Sequence, residues 1–571
     1  MRPPLLFVAF SAVLLAGCYS AGDGQTPPLN NLYFPTGLAL DVIPVTSDDP
    51  SKAPMEPAAP NHLYVASSDF DLQYNASALA SFDLKALQLL LPRSCNSDAD
   101  CMDGRTCDAS SAQPSYFCVG SDGDPCESRG VRQPADQLLY PGRCQSIDSR
   151  GSGIIGDSVE IGAFATDIVF KATGAGGDEQ LPGRLFLPVR GDATLHWIDV
   201  DSNPQLNLHC GQERGGSNRC DDGHRIGDDP NQESDNQLRQ VPEPFAMAID
   251  EAGDNIVVTN QTTGSVSLYA NHWEPGAAPK LVDVLSGLPT APVGIVAVPA
   301  PEPPDPSYQS GFLAVYRNAA RVDLLRVRNG EQLDPNPSQS PNKYDPRVLT
   351  FAGSEPINAN SLGFDSRGIV IDDAARQADY RVCRQPCAAA YSSQDAERIA
   401  ACEQSLDPEC FQAVHQPSVF VSNRAPSSLL VGALLPDDQH ASGTSELPAF
   451  TDSIPLPAGP SRVVLGRVKV PGNTELDELD RPFAFEQRVF VVCFDSRRIY
   501  IYDPARRVID SIVTTGRGPF ALAIDEQRGF GYIAHFTDSY LGVISLDQRF
   551  PKNYAAIVAS VGVPSPPRAS K

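Results

Sequence analysis

The sequence predicts an all-β protein of seven repeated units, each a four-stranded sheet, and three observations carry that prediction. The first is a set of near-identical heptapeptides: PTGLALD at 35–41, PFAMAID at 244–250 and PFALAID at 519–525, with looser versions PVGIVAV at 292–298 and PSRVVLG at 460–466. The second is a hairpin of fixed spacing. Counted from the last residue of one apolar strand, the next strand's first apolar residue comes six positions on, as in Val189/Leu195, Asn260/Val266, Tyr316/Val322, Asn423/Leu429, Cys493/Ile499 and His535/Leu541. A hairpin beginning at Tyr64-Val65-Ala66-Ser67 has a longer loop and brings the count to seven. The third is composition: 52 Pro and 44 Gly in 571 residues point to many turns, while 41% hydrophobic and 20% charged residues describe a folded chain.

Each heptapeptide is apolar and opens at or near a Pro, as an inner strand entered from a loop does. The hairpin supplies the second and third strands. Segments such as VIDSIVTTG (508–516) and NYAAIVASV (553–561) supply a fourth. A four-stranded antiparallel unit has two apolar faces and must stack on neighbours. Closing the stack into a ring removes its open ends, so the expected architecture is a β-propeller over 32–565, with 571 residues being too many for one ordinary core.

In 241–270 and 485–548, the hairpins VVTNQTTGSVSLY and VVCFDSRRIYIYD resemble the YVTN family of β-propeller repeats. The resemblance implies the fold. Fold alone does not imply function.

Two insertions interrupt the repeats. Residues 92–157, inside the first unit, contain six cysteines (Cys95, Cys101, Cys107, Cys118, Cys126 and Cys144) among Asp, Gly and Ser, so disulfides rather than an apolar core are expected to hold them. Residues 380–415 hold Cys383, Cys387, Cys402 and Cys410, with a helical period at DAERIAAC (395–402) and a start signal at Asp407-Pro408. They read as a disulfide-stapled helical hairpin. Cys210 and Cys220 form a further local pair, and Cys493 is left over in an apolar strand, an expected inert thiol. Local pairing of short loops is expected, and reduction is expected to unfold the inserts before the propeller. Zinc is the rival at the four thiols of 383–410, with His415 nearby, but an exported chain favours disulfides. Asp98, Asp100 and Asp103 lack the ligand order and terminal Glu of a calcium loop, and Asp199, Asp201 and Asn203 read as a strand-end turn.

The export reading comes from the start of the chain. Arg2 is followed by an apolar run from Leu5 to Leu15 that is too short to stay in a bilayer, ending at Leu15-Ala16-Gly17-Cys18. LAGC resembles the lipobox of bacterial lipoproteins. That implies cleavage of 1–17, acylation of Cys18 with palmitate-type chains, and a lipid-anchored tether over 18–31. Tyr19 stands where an inner-membrane retention signal would carry Asp, which implies the bacterial outer membrane, on either its periplasmic or its surface side. The membrane is then one partner, through the lipid.

A net charge of −26 repels phosphate backbones, so no nucleic-acid partner is expected. The sequence holds no GxSxG elbow, HExxH, phosphate loop or CxxCH, so no catalytic residue, cofactor or metal site is assigned. Four side chains stand at one repeated place, the end of the second strand: His535, and Arg190, Arg317 and Arg424 one residue beyond it. They are the candidate ligand-binding residues on one rim. The expected function is a non-enzymatic binding or interaction scaffold for a protein or small-molecule ligand. The alternative is a propeller enzyme, a lactonase-like hydrolase or a dehydrogenase, with its site at the central channel.

Overall fold

The computed structural model describes residues 25–564 outside a set of loop segments: 44–57, 121–140, 174–181, 202–206, 212–217, 230–236, 302–307, 331–344, 358–363, most of 391–414, 436–445 and a few single positions. Cys18, Cys126, Cys410, Asn203 and Asp407-Pro408 lie outside the described residues.

Among the described residues seven blade sheets follow one another in sequence order, and each blade takes its strands from one continuous stretch. The inner strands are Pro35–Leu40, Val169–Ala172, Pro244–Ile249, Pro292–Ala297, Phe364–Asp372, Pro460–Leu476 and Pro519–Asp525. Six sheets have four strands. The second has a fifth short strand and ends at a two-residue edge, Leu208–His209, which Cys210–Cys220 staples just beyond. The repeated hairpin pairs each strand-end residue with the position five residues on, as in Asn260↔Ser265, Asn423↔Ser428, Cys493↔Arg498 and His535↔Tyr540. That places the apolar residue at the sixth position inside the third strand.

Seven apolar clusters hold the ring, one between each pair of neighbouring blades. Tyr64, Leu79 and Val159 of blade 1 meet Leu185 and Ile198 of blade 2, and the last cluster joins Ala523, Tyr532 and Val543 of blade 7 to Leu63, Val65 and Phe82 of blade 1. Side-chain packing, with no exchanged strand, closes the ring, each buried aliphatic contributing on the order of 1.5–3 kcal/mol. Inner strands crowd near the axis: a Cβ on Gly37 would lie 2.7 Å from Ile168 Cγ2 of the next blade.

The Asp that ends each close-copy heptapeptide is a turn staple. Asp41 Oδ1 accepts from the His62 amide (2.8 Å), Asp250 Oδ1 from the amides of Asp254 (2.9 Å) and Asn255 (3.1 Å), and Asp525 Oδ1 from the Arg528 amide (3.0 Å). All three are buried. A buried carboxylate accepting backbone N–H groups replaces the hydration those amides lose.

The insert after the third strand of blade 1 is held by Cys95–Cys107 and Cys101–Cys118, and Cys144 is also disulfide-bonded. The fourth strand, Ile155–Ile161, begins inside the span read from sequence as insert, because Ile155 pairs with Phe82 to complete the sheet. In blade 5 a helix runs Ala374–Ala390, six residues ahead of the expected start, directly off the end of the inner strand at Asp372. Cys387 bonds Cys402, and Cys383 is disulfide-bonded. Among the described residues no helix is long and apolar enough to cross a membrane.

Candidate functional site

A residue at or near the start of each inner strand pairs with one at or near the end of the second strand: Pro35↔Ser67, Ala165↔Val189, Pro244↔Asn260, Pro292↔Tyr316, Ser366↔Asn423, Pro460↔Cys493 and Pro519↔His535. The inner-strand entrances and the hairpin turns therefore share one face of the ring. At each entrance the preceding residue has a left-handed backbone: Phe34, Phe164, Glu243, Ala291, Asp365, Gly459 and Gly518, with φ from 44° to 88°. Glycine is required at 518, where a Cβ would meet Thr537 Oγ1 at 2.1 Å. The carbonyls of Phe34, Phe164, Glu243, Ala291, Gly459 and Gly518 each accept from the amide just past the second strand, at Ser68, Arg190, Gln261, Arg317, Phe494 and Phe536. Those side chains, with Arg424 opposite Asp365, stand round the mouth of the central channel.

Arg190, Arg317 and Arg424 all lie on this mouth, each beside a carboxylate of the next blade. Arg190 Nη2 is 3.0 Å from Glu243 Oε1, Arg317 Nε is 3.6 Å from Asp365 Oδ1, and Arg424 pairs with Asp495. Hydrogen bonds from Thr262 and Arg190 hold Glu243 below the usual carboxylate range. Arg190 is on blade 2, apart from the other two. Arg317 and Arg424 gather round Arg367, an inner-strand residue that no motif or spacing singles out. Arg367 holds Asp365 through Nε and through Nη2 (3.0 Å to Oδ2), so Arg317 keeps only its 3.6 Å approach and is 38% exposed. Burial lowers the Arg367 pKa, and the charges of Arg317 and Arg424 add to that against the pull of Asp365. The surplus positive charge at this point favours an arriving anion.

His535 lies at the strand end, but its ring is withdrawn from the surface. It is fully buried, stacks on Tyr540 at 4.0 Å between centroids, and its Nε2 accepts from the Gly516 amide (3.2 Å). Burial drives its pKa down to about 3. Cys493, the matching residue of blade 6, is a buried free thiol whose pKa burial pushes up to about 12.

Among the described residues one ion pair crosses the channel. Arg462, on the inner strand of blade 6, places Nη1 3.0 Å from Asp167 Oδ1 and donates from Nη2 to the Thr166 carbonyl (3.2 Å). Both partners belong to blade 2, three blades away round a ring of seven, so the side chain reaches them through the centre. Its guanidinium also lies over Phe520, 5.1 Å from the ring centroid. Thr36 and Thr166 donate to the carbonyls of Ala165 and Phe245 (2.7 Å each), linking neighbouring inner strands just below.

Beside this strut, blades 7 and 1 raise an aromatic cluster. Phe34, Phe70 and Phe536 lie 5.2–6.0 Å apart, and Phe520 is 5.8 Å from Phe536. Phe70 is 60% and Leu72 69% exposed, both on the longer hairpin loop of blade 1. No spacing rule marked this cluster. The signal available in the sequence was the extra length of that loop, where Ser67 pairs with Ala78 instead of a residue five positions on, and the two large apolar side chains it carries.

Elsewhere, a cavity of about 670 Å³ opens between the outer parts of blades 2 and 3, lined by Asp222, Arg225, Asp228, His272, Glu274 and Lys280. Arg225 already pairs with Asp222 and Asp228. The sulfurs of Cys95, Cys101 and Cys118 lie together because two disulfides stack there, and oxidised sulfur is not a thiolate ligand. Asp98 and Asp100 turn their carboxylates to backbone amides, and Asp199 and Asp201 bond Arg184 and His209.

No family model matches the chain, and no curated protein matches its sequence. Among solved structures it is similar to a protein from Lactobacillus plantarum (12% identity, 87% of this chain and 89% of that one, TM-score 0.37). It is also similar to putative 6-phosphogluconolactonases from Bacteroides fragilis NCTC 9343 (9% identity, 85% and 86%, TM-score 0.39) and Bacteroides uniformis ATCC 8492 (9% identity, 80% and 83%, TM-score 0.37).

Proposed function

We propose that this chain is an envelope-anchored binding scaffold, a propeller with YVTN-type repeats, whose contact surface is the channel mouth. One observation carries the reading: exposed Phe70 and Leu72 sit on a packed aromatic cluster, on the same face as the under-paired Arg317. Large apolar side chains on a rigid base, with an arginine on the same face, are what interaction hot spots are made of. The partner that fits is a protein segment wide enough to present an apolar side chain to blade 1 and a carboxylate to Arg317 of blade 4, across the mouth. The apolar group would cover Phe70 and Leu72, and the carboxylate would take the open guanidinium fork of Arg317. Replacing both Phe70 and Leu72 by Ser is expected to weaken partner binding at least tenfold, and Arg317→Gln about tenfold, with the melting temperature within a degree or two because the changed side chains are surface ones. Unchanged binding in both variants would overturn the proposal.

The anchor is the lipid on Cys18. Cys18→Ser is expected to move the protein from the membrane to the soluble fraction and to remove acyl mass from its N-terminus. A mutant that still sediments with membranes, beside a wild type of unacylated mass, would contradict it.

A further inference from the structure

The ring has six boundaries crossed by a chain connection and a seventh, between blades 7 and 1, crossed by none. All four strands of blade 1 lie within 35–161 and all four of blade 7 within 519–561, so no strand is exchanged across this seam. Closing it closes a loop the length of the propeller, with an entropic cost that the other boundaries do not carry. Among the described residues the two blades supply few polar links of their own: Arg528 Nη1 to the Pro60 carbonyl (2.6 Å), Arg528 Nε to Gln88 Oε1 (3.1 Å) and the Phe34 amide to Ser539 Oγ (3.0 Å).

We propose that the Cys-rich insert of blade 1 is the clasp of this seam. It leaves blade 1 and docks on the two blades beyond the boundary. Its returning segment pairs Ile147 with Val561 on the edge strand of blade 7: the Ile147 amide donates to the Ser560 carbonyl and the Gly562 amide to the Ile147 carbonyl, both 2.8 Å. Asn553, which is buried, donates to Ser94 Oγ (3.0 Å) and the Tyr116 carbonyl (2.8 Å), and Asn96 donates to the Arg549 carbonyl (2.7 Å). Arg93 pairs with Glu478 at 2.8 Å and Asp100 with Arg481, both on the long hairpin of blade 6. Phe117 and Ile147 are buried in the same apolar cluster as the facing walls of blades 1 and 7.

The disulfides set the geometry of these contacts. Cys95, bonded to Cys107, stands between Ser94 and Asn96 in the chain, and Cys101–Cys118 joins the residues that follow Asp100 and Phe117. The only described ladder inside this part of the insert is two residues long on each side, so the crosslinks keep the contact residues in place. Oxidation of these cysteines thus locks the propeller shut, and the insert does not unfold independently of the ring.

Hydrogen exchange on the full mature chain tests this, since the Gly562 amide and strand 557–561 report the seam directly. Three variants are compared: the four-fold Cys→Ser change at 95, 101, 107 and 118, Asn553→Ala with every disulfide intact, and Cys387→Ser/Cys402→Ser in blade 5 as control. Exchange over 557–562 is expected to speed up about tenfold or more in the first and about threefold in the second, with no change in the control. Unchanged exchange there in both seam variants, or an equal rise in the control, would overturn the clasp.

Discussion

Acidification from pH 6.5 to 4.5 is expected to destabilise this protein by about 2 kcal/mol through one buried imidazole, His535. Its Nε2 accepts from the Gly516 amide, so the neutral ring carries its proton on Nδ1. A second proton would set an N–H against the Gly516 N–H and place a charge in an apolar wall beside Tyr540. The folded-state pKa is depressed, from 6.5 to about 3. The neutral form is the one folding favours, so the stabilising contribution is complete above pH 6.5 and is lost as pH falls through 6.5 toward 3. His535→Asn should flatten this slope, because blades 3 and 5 carry Asn260 and Asn423 at the same strand end. Denaturation midpoints of both proteins at several pH values give the test. Parallel curves between pH 6.5 and 4.5 would contradict it.

Arg184→Met is expected to cost about 3–5 kcal/mol. Arg184 is 1% exposed and joins blade 2 to the loop after the third strand of blade 3. Nε lies 2.6 Å from Asp199 Oδ1, and Nη1 donates to Asn271 Oδ1 (2.9 Å) and to the carbonyls of His272 (2.9 Å) and Ala277 (3.0 Å). Removing the guanidinium strands a buried carboxylate and three acceptors together, and the compact ammonium of a lysine could not span that set. The chain's two tryptophans flank the same side chain, Trp197 at 4.4 Å and Trp273 at 5.9 Å from ring centroid to Cζ. Intrinsic tryptophan emission during urea denaturation therefore reports this junction. A loss under about 1 kcal/mol would show that the carboxylate finds another partner.

The repeats were legible because each unit must solve the same packing problem with the same alternation. PTGLALD, PFAMAID and PFALAID are inner strands, and the six-residue hairpin spacing marks the turn between the second and third strands. The short edge of blade 2 was not legible, since Leu208–His209 has no pattern of its own and is held by Cys210–Cys220. Sequence spacing brought Arg190, Arg317 and Arg424 to one face. It did not reveal their carboxylate partners, which sit on entrance or turn residues of the following blade. Arg462 and Asp167 are 295 residues apart and meet only because the ring closes. The clasp was hidden for the same reason: nothing between 92 and 157 signals a partner near 553.

The proposed binding face is tested most directly by a photoreactive p-benzoylphenylalanine at position 70, with position 508 on the outer strand of blade 6 as the comparison, since Val508 is also exposed at 50%. Irradiated in intact cells, the residue at 70 is expected to give a discrete covalent adduct that Arg317→Gln diminishes, while the residue at 508 gives none. The same adducts from both positions, or an adduct at 70 indifferent to Arg317, would contradict the mouth of the channel as the contact surface.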